Sequence, residues 1–188
     1  GAILVNTDGK RFINELDTRK VVSDAINQLG GTGAYLIFDQ SIRERVKAIE
    51  FYDSIGLVTT GKNLTELATQ IKLNEETLKQ TVTAWNSAVV AQNDPEFSRT
   101  TGMAKQINQG PFFAIHVSPA IHYTMGGLKI NPQTQVLNEK NQPIDGLYAA
   151  GEVVGGLHGN NRIGGNSIAE IVVFGRQAGQ QVFKYLES

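Results

Sequence analysis

The chain has 188 residues, a hydrophobic share of 40% and a formal net charge of −1. That is apolar material for a sizeable core in one domain or a little more, and it carries no electrostatic footprint for nucleic acid or an anionic membrane surface. Cysteine is absent, which excludes disulfides, thiolate catalysis and iron–sulfur ligation within these residues, and no apolar run reaches the ~18 residues of a membrane span.

Residues 2–5 read as a short strand. Asp8 and Gly9 mark a turn and 11–14 return, so a hairpin is expected over 2–14. Asp17 or Thr18 then caps a helix with Val21, Val22, Ala25, Ile26 and Leu29 on its apolar face, and Gly30 and Gly31 close it. Arg19 falls in the first turn of that helix, where the dipole prefers an acid. By itself it reads as a surface arginine in a slightly unfavourable place. Residues 34–38 are a continuous apolar strand. Residues 39–41 cap a helix over about 41–53, whose Arg43, Glu44, Arg45, Lys47 and Glu50 form a solvated face. Residues 55–58 are extended. Asn63 caps a helix at 64–71 and Asn74 another at 75–92. The second has Leu78, Val82, Trp85 and Val89 on one side, which makes Trp85 a core residue. Asn93, Asp94 and Pro95 break it, and 96–110 are polar and irregular.

From residue 111 the pattern turns to strands and turns. Residues 112–117 and 120–125 are strand candidates, His116 reads as structural, and 128–130 pair with 135–137 across Asn131 and Pro132. Residues 141–146 form a turn before a buried strand at 147–150. Glycines follow at 151, 155, 156, 159, 164 and 165, and a long helix runs over 167–186. Strand, glycine-rich loop and helix N-terminus is an arrangement that lets backbone N–H groups approach a polar or anionic ligand. Glu152, His158 and Arg162 lie within this loop. His158 is open between a structural hydrogen bond and a cofactor-side contact. The usual dinucleotide fingerprint, Gly-x-Gly-x-x-Gly with an acid about 20 residues on, does not occur. The three histidines, at 116, 122 and 158, have no metal-ligand spacing. A boundary near 104–114 divides a mixed α/β unit from a segment too one-sided to be a whole domain, so partner strands from elsewhere in a longer protein are expected.

Several motifs in order resemble one family. Residues 1–6, Gly9-Lys10-Arg11-Phe12, Asn14-Glu15 and Thr18-Arg19 are similar to the capping (clamp) domain of flavin-dependent fumarate reductases of the soluble flavocytochrome type. His122-Tyr123-Thr124-Met125-Gly126-Gly127 resembles that family's His-His-Thr-Met-Gly-Gly segment. Residues 146–152, 155–159 and 161–166 resemble its C-terminal flavin-binding return.

The resemblance implies an α+β capping domain at 1–110, followed at 111–188 by an incomplete segment of an FAD-binding Rossmann-like α/β domain. It implies FAD as cofactor and the reduction of fumarate to succinate. It makes Arg19 the proton donor, while His122 and Arg162 hold the substrate's carboxylates. Tyr123 falls where the family has a flavin-contacting histidine, a departure that is mild if the backbone makes the contact. Glu152 matches the acid that bonds a hydroxyl of the FAD sugar or ribityl chain, and Ser167 and Ile168 match the backbone contacts to the flavin's carbonyl edge. A guanidinium rarely releases its proton, so Arg19 as an acid needs a relay that restores it. The resemblance places that relay, the FAD-binding Rossmann segment and a further substrate histidine before residue 1, and the electron donor in another domain or protein. This chain alone is then expected to bind FAD weakly and to be inactive. Two alternatives stay open: a reductase of another enoate, such as urocanate or an acrylate, and a non-catalytic binding module that kept the fold. In urocanate reductases the arginine resembling Arg162 is typically a tyrosine, so Arg162 favours a dicarboxylate. Steroid dehydrogenases on this fold rely on tyrosines instead of Arg19 with Arg162.

Overall fold

Strand β2 (Ala34–Asp39) is apolar at nearly every position because both of its faces are covered. Successive side chains point to opposite sides of a strand. Tyr35 and Ile37 therefore enter one cluster, while Leu36 and Phe38 enter another on the opposite face. β2 lies inside a four-stranded antiparallel sheet with β1 (Ile3–Val5), β3 (Val58–Gly61) and β4 (Phe112–Val117), in the order β1-β2-β4-β3. Ile37 pairs with Ile3 on one side and with Ala114 on the other. The computed structural model describes residues 1–31, 33–159 and 161–187. Contacts divide it into two units, Gly1–Pro119 and the remainder from Ala120.

In the first unit, α4 (Leu64–Gln70) and α5 (Glu75–Ala91) cover one face of the sheet and bury Leu67, Leu78, Val82 and Trp85 with Ile3, Val5 and Ile37. Asn74 caps α5 by accepting the Thr77 N–H at 2.9 Å, Glu75 and Glu76 suit the dipole, and Gln92 ends the helix in the left-handed region. The short helices α2 (Gln40–Arg43) and α3 (Ala48–Ser54) cover the other face through Ile42 and Ile49. Helix α1 (Arg19–Asn27) is capped by Thr18 and buries Ile26 beside Leu4 and Ala34.

A charged cluster is sealed beneath Trp85. Arg11 donates to Glu15 at 2.8 Å and to Asp94 at 2.9 Å, and Arg99 donates to Glu15 at 2.9 Å and to the Ala2 carbonyl at 2.8 Å. Both guanidinium carbons lie over the indole, at 4.8 and 4.5 Å from its centroid. This explains why the expected hairpin over 2–14 is reduced to one bridge, Val5 with Arg11. The turn is present, with Asn6 N–H donating to the Lys10 carbonyl at 2.9 Å, but Arg11 is drawn to its two carboxylates and β1 pairs with β2 instead. The helix expected over 41–53 is broken at 44–47. There the Arg45 N–H bonds back only to Ile42, and the Ser41 carbonyl is taken by the Arg45 side chain at 2.9 Å.

In the second unit, β5 (Gln135–Leu137) and β6 (Pro143–Tyr148) form an antiparallel pair, so part of the expected turn at 141–146 is strand. The pairing of 128–130 with 135–137 survives as the bridge Ile130–Val136, and 120–125 form no strand. Helix α6 (Asn166–Leu186) is apolar along much of its length, yet among its described residues only Glu170 is buried. No described helix is long and apolar enough to cross a membrane.

Candidate functional site

Two backbone segments of the second unit run side by side. The Leu128 N–H donates to the Val153 carbonyl at 2.8 Å and the Gly155 N–H to the Leu128 carbonyl at 3.0 Å, a parallel bridge between 128 and 154. The approach needs glycine on both sides. A Cβ on Gly127, whose φ is +150°, would sit 2.0 Å from the Val153 carbonyl oxygen, and one on Gly155 would sit 2.6 Å from the Gly127 nitrogen. Here the glycines serve the packing of the chain against itself. Glu152 strengthens the join by accepting the Thr124 N–H at 2.9 Å, while its side chain stays exposed.

This join brings the 122–125 segment to the glycine-rich loop. The Tyr123 hydroxyl donates to Glu170 Oε2 in a short hydrogen bond. The same oxygen lies 2.8 Å from His158 Nε2, and the Tyr123 and His158 rings meet edge to face at 5.8 Å. The guanidinium carbon of Arg162 lies 4.6 Å from the Tyr123 ring centroid, a cation–π geometry. Arg162 is 8% exposed and donates from Nη1 to its neighbour's carbonyl, Ile163, at 3.2 Å. Among the described residues its Nε is buried without a partner, as is Glu170 Oε1. The Tyr123 phenol is pushed up to about 12, first by its hydrogen bond to Glu170 and then by desolvation, with Arg162 pulling the other way.

The structure therefore brings Tyr123, His158 and Arg162 together and adds Glu170, which sequence reasoning missed. Its signal was a lone acid in the apolar start of a helix, Ser-Ile-Ala-Glu-Ile-Val-Val. Ordinary amphipathic logic sends such an acid to water, yet Glu170 is 5% exposed while Ile168 and Val172 are both 62% exposed. His122 is exposed next to Tyr123 in sequence and has no hydrogen-bond partner among the described residues. Ser167 and Ile168 sit in the first turn of α6, which starts at Gly165 with neither a side-chain cap nor an acid. The Ile168 N–H is used within that turn, donating to the Gly165 carbonyl at 3.0 Å. In the first unit, Arg19 is the exposed first residue of α1, without an ion-pair or hydrogen-bond partner among the described residues. His116 packs on Tyr35 at 5.0 Å between ring centroids, as a structural residue would.

Comparison with known proteins gives this site its context. The sequence matches the family described as FAD binding domain over residues 1–168. It is 48% identical over 184 residues to the NADH:fumarate oxidoreductase of Klebsiella pneumoniae (strain 342), covering 98% of this chain and 20% of that protein. It is 45% identical over 185 residues to the fumarate reductase (cytochrome) of Shewanella frigidimarina, covering 98% of this chain and 32% of that protein. A solved flavocytochrome c3 fumarate reductase in its open conformation is similar in structure at a TM-score of 0.84 and 44% identity, over 98% of this chain and 33% of that one. The chain thus spans a fifth to a third of the length of these relatives. With FAD as the family's cofactor and the match running from residue 1 to 168, the chain belongs to the FAD binding domain family.

Proposed function

We propose that the protein carrying this chain is an FAD-dependent enoate reductase that converts fumarate to succinate. The observation that carries this reading is Arg162, a buried guanidinium whose Nε has no partner among the described residues, in the glycine loop of an FAD-binding family member. A buried cation without a full set of acceptors is costly, and a carboxylate supplies two. The planar fork of arginine suits a dicarboxylate bidentately, with His122 as a second donor for the substrate.

The residues present fit bound FAD. The start of α6 is uncapped, so the Ser167 N–H is open to the flavin's carbonyl edge, and any contact from Ile168 is shared with its bond to Gly165. Glu152 uses Oε1 on Thr124, and its Oε2 remains for a sugar or ribityl hydroxyl. The Tyr123 hydroxyl is committed to Glu170, which leaves its backbone to meet the cofactor. When bound and reduced, FAD supplies the hydride for one carbon of the C=C bond. Arg19 gives the proton to the other carbon and is reprotonated by a relay outside this chain. In this reading the first part of the chain, 1–110, is a capping domain, and 111–188 is a segment of an FAD-binding Rossmann-like domain. The electron donor is likewise another domain or protein.

The test is Arg162→Ala in the full-length, flavin-loaded protein. The KM for fumarate is expected to rise roughly 30-fold or more, the effect of losing ~2 kcal/mol or above from a desolvated charge contact, with turnover also lower. If KM and turnover both stay at wild-type values, Arg162 does not bind the substrate's carboxylate.

A further inference from the structure

Glu170 has a role that the reaction as described does not use. Burying a carboxylate is expensive unless its charge is matched. Glu170 is 5% exposed, and among the described residues both of its partners, Tyr123 and His158, bind one oxygen while the other has none. An apolar residue would fill this place on α6 at less cost. What the carboxylate does hold is the junction of two segments, the one carrying Tyr123 beside His122 and the one carrying His158 four residues before Arg162. Arg162 has little else to fix it. Among the described residues, its guanidinium has one hydrogen bond, to the adjacent Ile163 carbonyl, and the face of the Tyr123 ring at 4.6 Å. The ring's position thus sets the guanidinium, and Glu170 sets the ring.

We propose that Glu170 is a positioning residue, which through the Tyr123 hydroxyl and His158 sets the Arg162 guanidinium for a substrate carboxylate. This rests on the reading of Arg162 as the carboxylate ligand. It predicts a graded dependence. Removing the charge or the phenol hydroxyl lets the ring and the guanidinium drift, and a displacement on the order of 1 Å at such a site costs up to ~100-fold.

The experiment uses the full-length, FAD-loaded protein as wild type, Glu170→Gln, Tyr123→Phe and the double variant. Malonate, a dicarboxylate with no C=C bond to reduce, is titrated through the change it makes in the flavin absorbance. FAD content and thermal midpoint are measured on the same samples. Each single variant is expected to raise the malonate Kd and the fumarate KM about tenfold, more than it lowers kcat. The double variant is expected to be no worse than the weaker single variant, because both break one linkage. FAD content should hold. Unchanged malonate Kd in both single variants overturns the proposal, and so do effects that add in the double variant. A Glu170→Gln protein that loses FAD and stability, while Tyr123→Phe binds malonate normally, also overturns it, since Glu170 is then a packing residue. If wild type neither binds malonate nor reduces fumarate, the enoate-reductase reading itself fails and the positioning role falls with it. Wild type that binds malonate beside unchanged variants sinks the positioning role alone.

Discussion

Arg11 shows how much one side chain organises in the first unit. It carries Glu15 and Asp94 on its guanidinium, and Glu15 in turn accepts from Arg99 and from the Leu4 N–H. Strand β1, the segment leading to α1 and the loop after α5 are thereby tied at one point. None of this was legible locally. Asp94 reads as a helix breaker and Arg99 as a residue of a polar loop, because partners 83 and 84 positions apart leave no periodic trace. The Asp94 carboxyl is raised by its burial, but the hydrogen bonds and charge of Arg11 outweigh this and hold it below the usual range. Its folded value lies below the unfolded value near ~3.9, so its stabilising contribution is full above that pH and is lost as pH falls through the lowered value. Arg11→Met leaves two buried carboxylates short of their partner and is expected to cost about 3–5 kcal/mol. Thermal melts of wild type and variant from neutral to acid pH check both points. The wild type should lose its advantage over the variant as pH falls below ~4. A constant gap across that range contradicts the role given to Asp94.

At the scale of elements, helices were easier to read than pairings. Helix α5 follows from its Asn74 cap, its acidic first turn and the spacing of Leu78, Val82, Trp85 and Val89. All four are buried. Asn74→Ala should lower stability by ~1 kcal/mol, the usual loss for such a cap, read from denaturant midpoints. A shift within error means that packing alone holds the helix start. Strand β4 was legible as a strand, but its place between β2 and β3 was not. It returns from the far end of the unit to the middle of the sheet, and alternation tells which residues share a face but not which strand lies beside them. The break between α2 and α3 was hidden for a different reason, since a side chain of the helix itself, Arg45, takes the carbonyl that a continuous helix needs. In the second unit the glycine-rich loop reads as a close approach to a ligand, whereas the approach the structure shows at Gly155 is to the chain's own backbone. Its nearest neighbour at Gly155 is the Gly126–Gly127 backbone, which spacing alone could not name.

For the whole molecule, the family was legible because several motifs occur in the right order, each weak alone. The glycine-rich loop drew attention to His158 and Arg162 and the resemblance to Tyr123 and Arg162, and the structure supplied Glu170, which joins them and has no motif of its own. The exposed apolar residues of α6, among them Ile168, Val172 and Phe183, accompany a chain that spans only a fifth to a third of its relatives. The chemistry must therefore be tested in the full-length protein. The central claim is that this chain supplies the proton for enoate reduction through Arg19. The measurement that tests it most directly is the rate of fumarate reduction by full-length Arg19→Met, with flavin content and the malonate Kd determined on the same sample. The account predicts that reduction is abolished while FAD stays bound and malonate still binds. Reduction at a rate close to wild type would contradict it and remove Arg19 from the reaction.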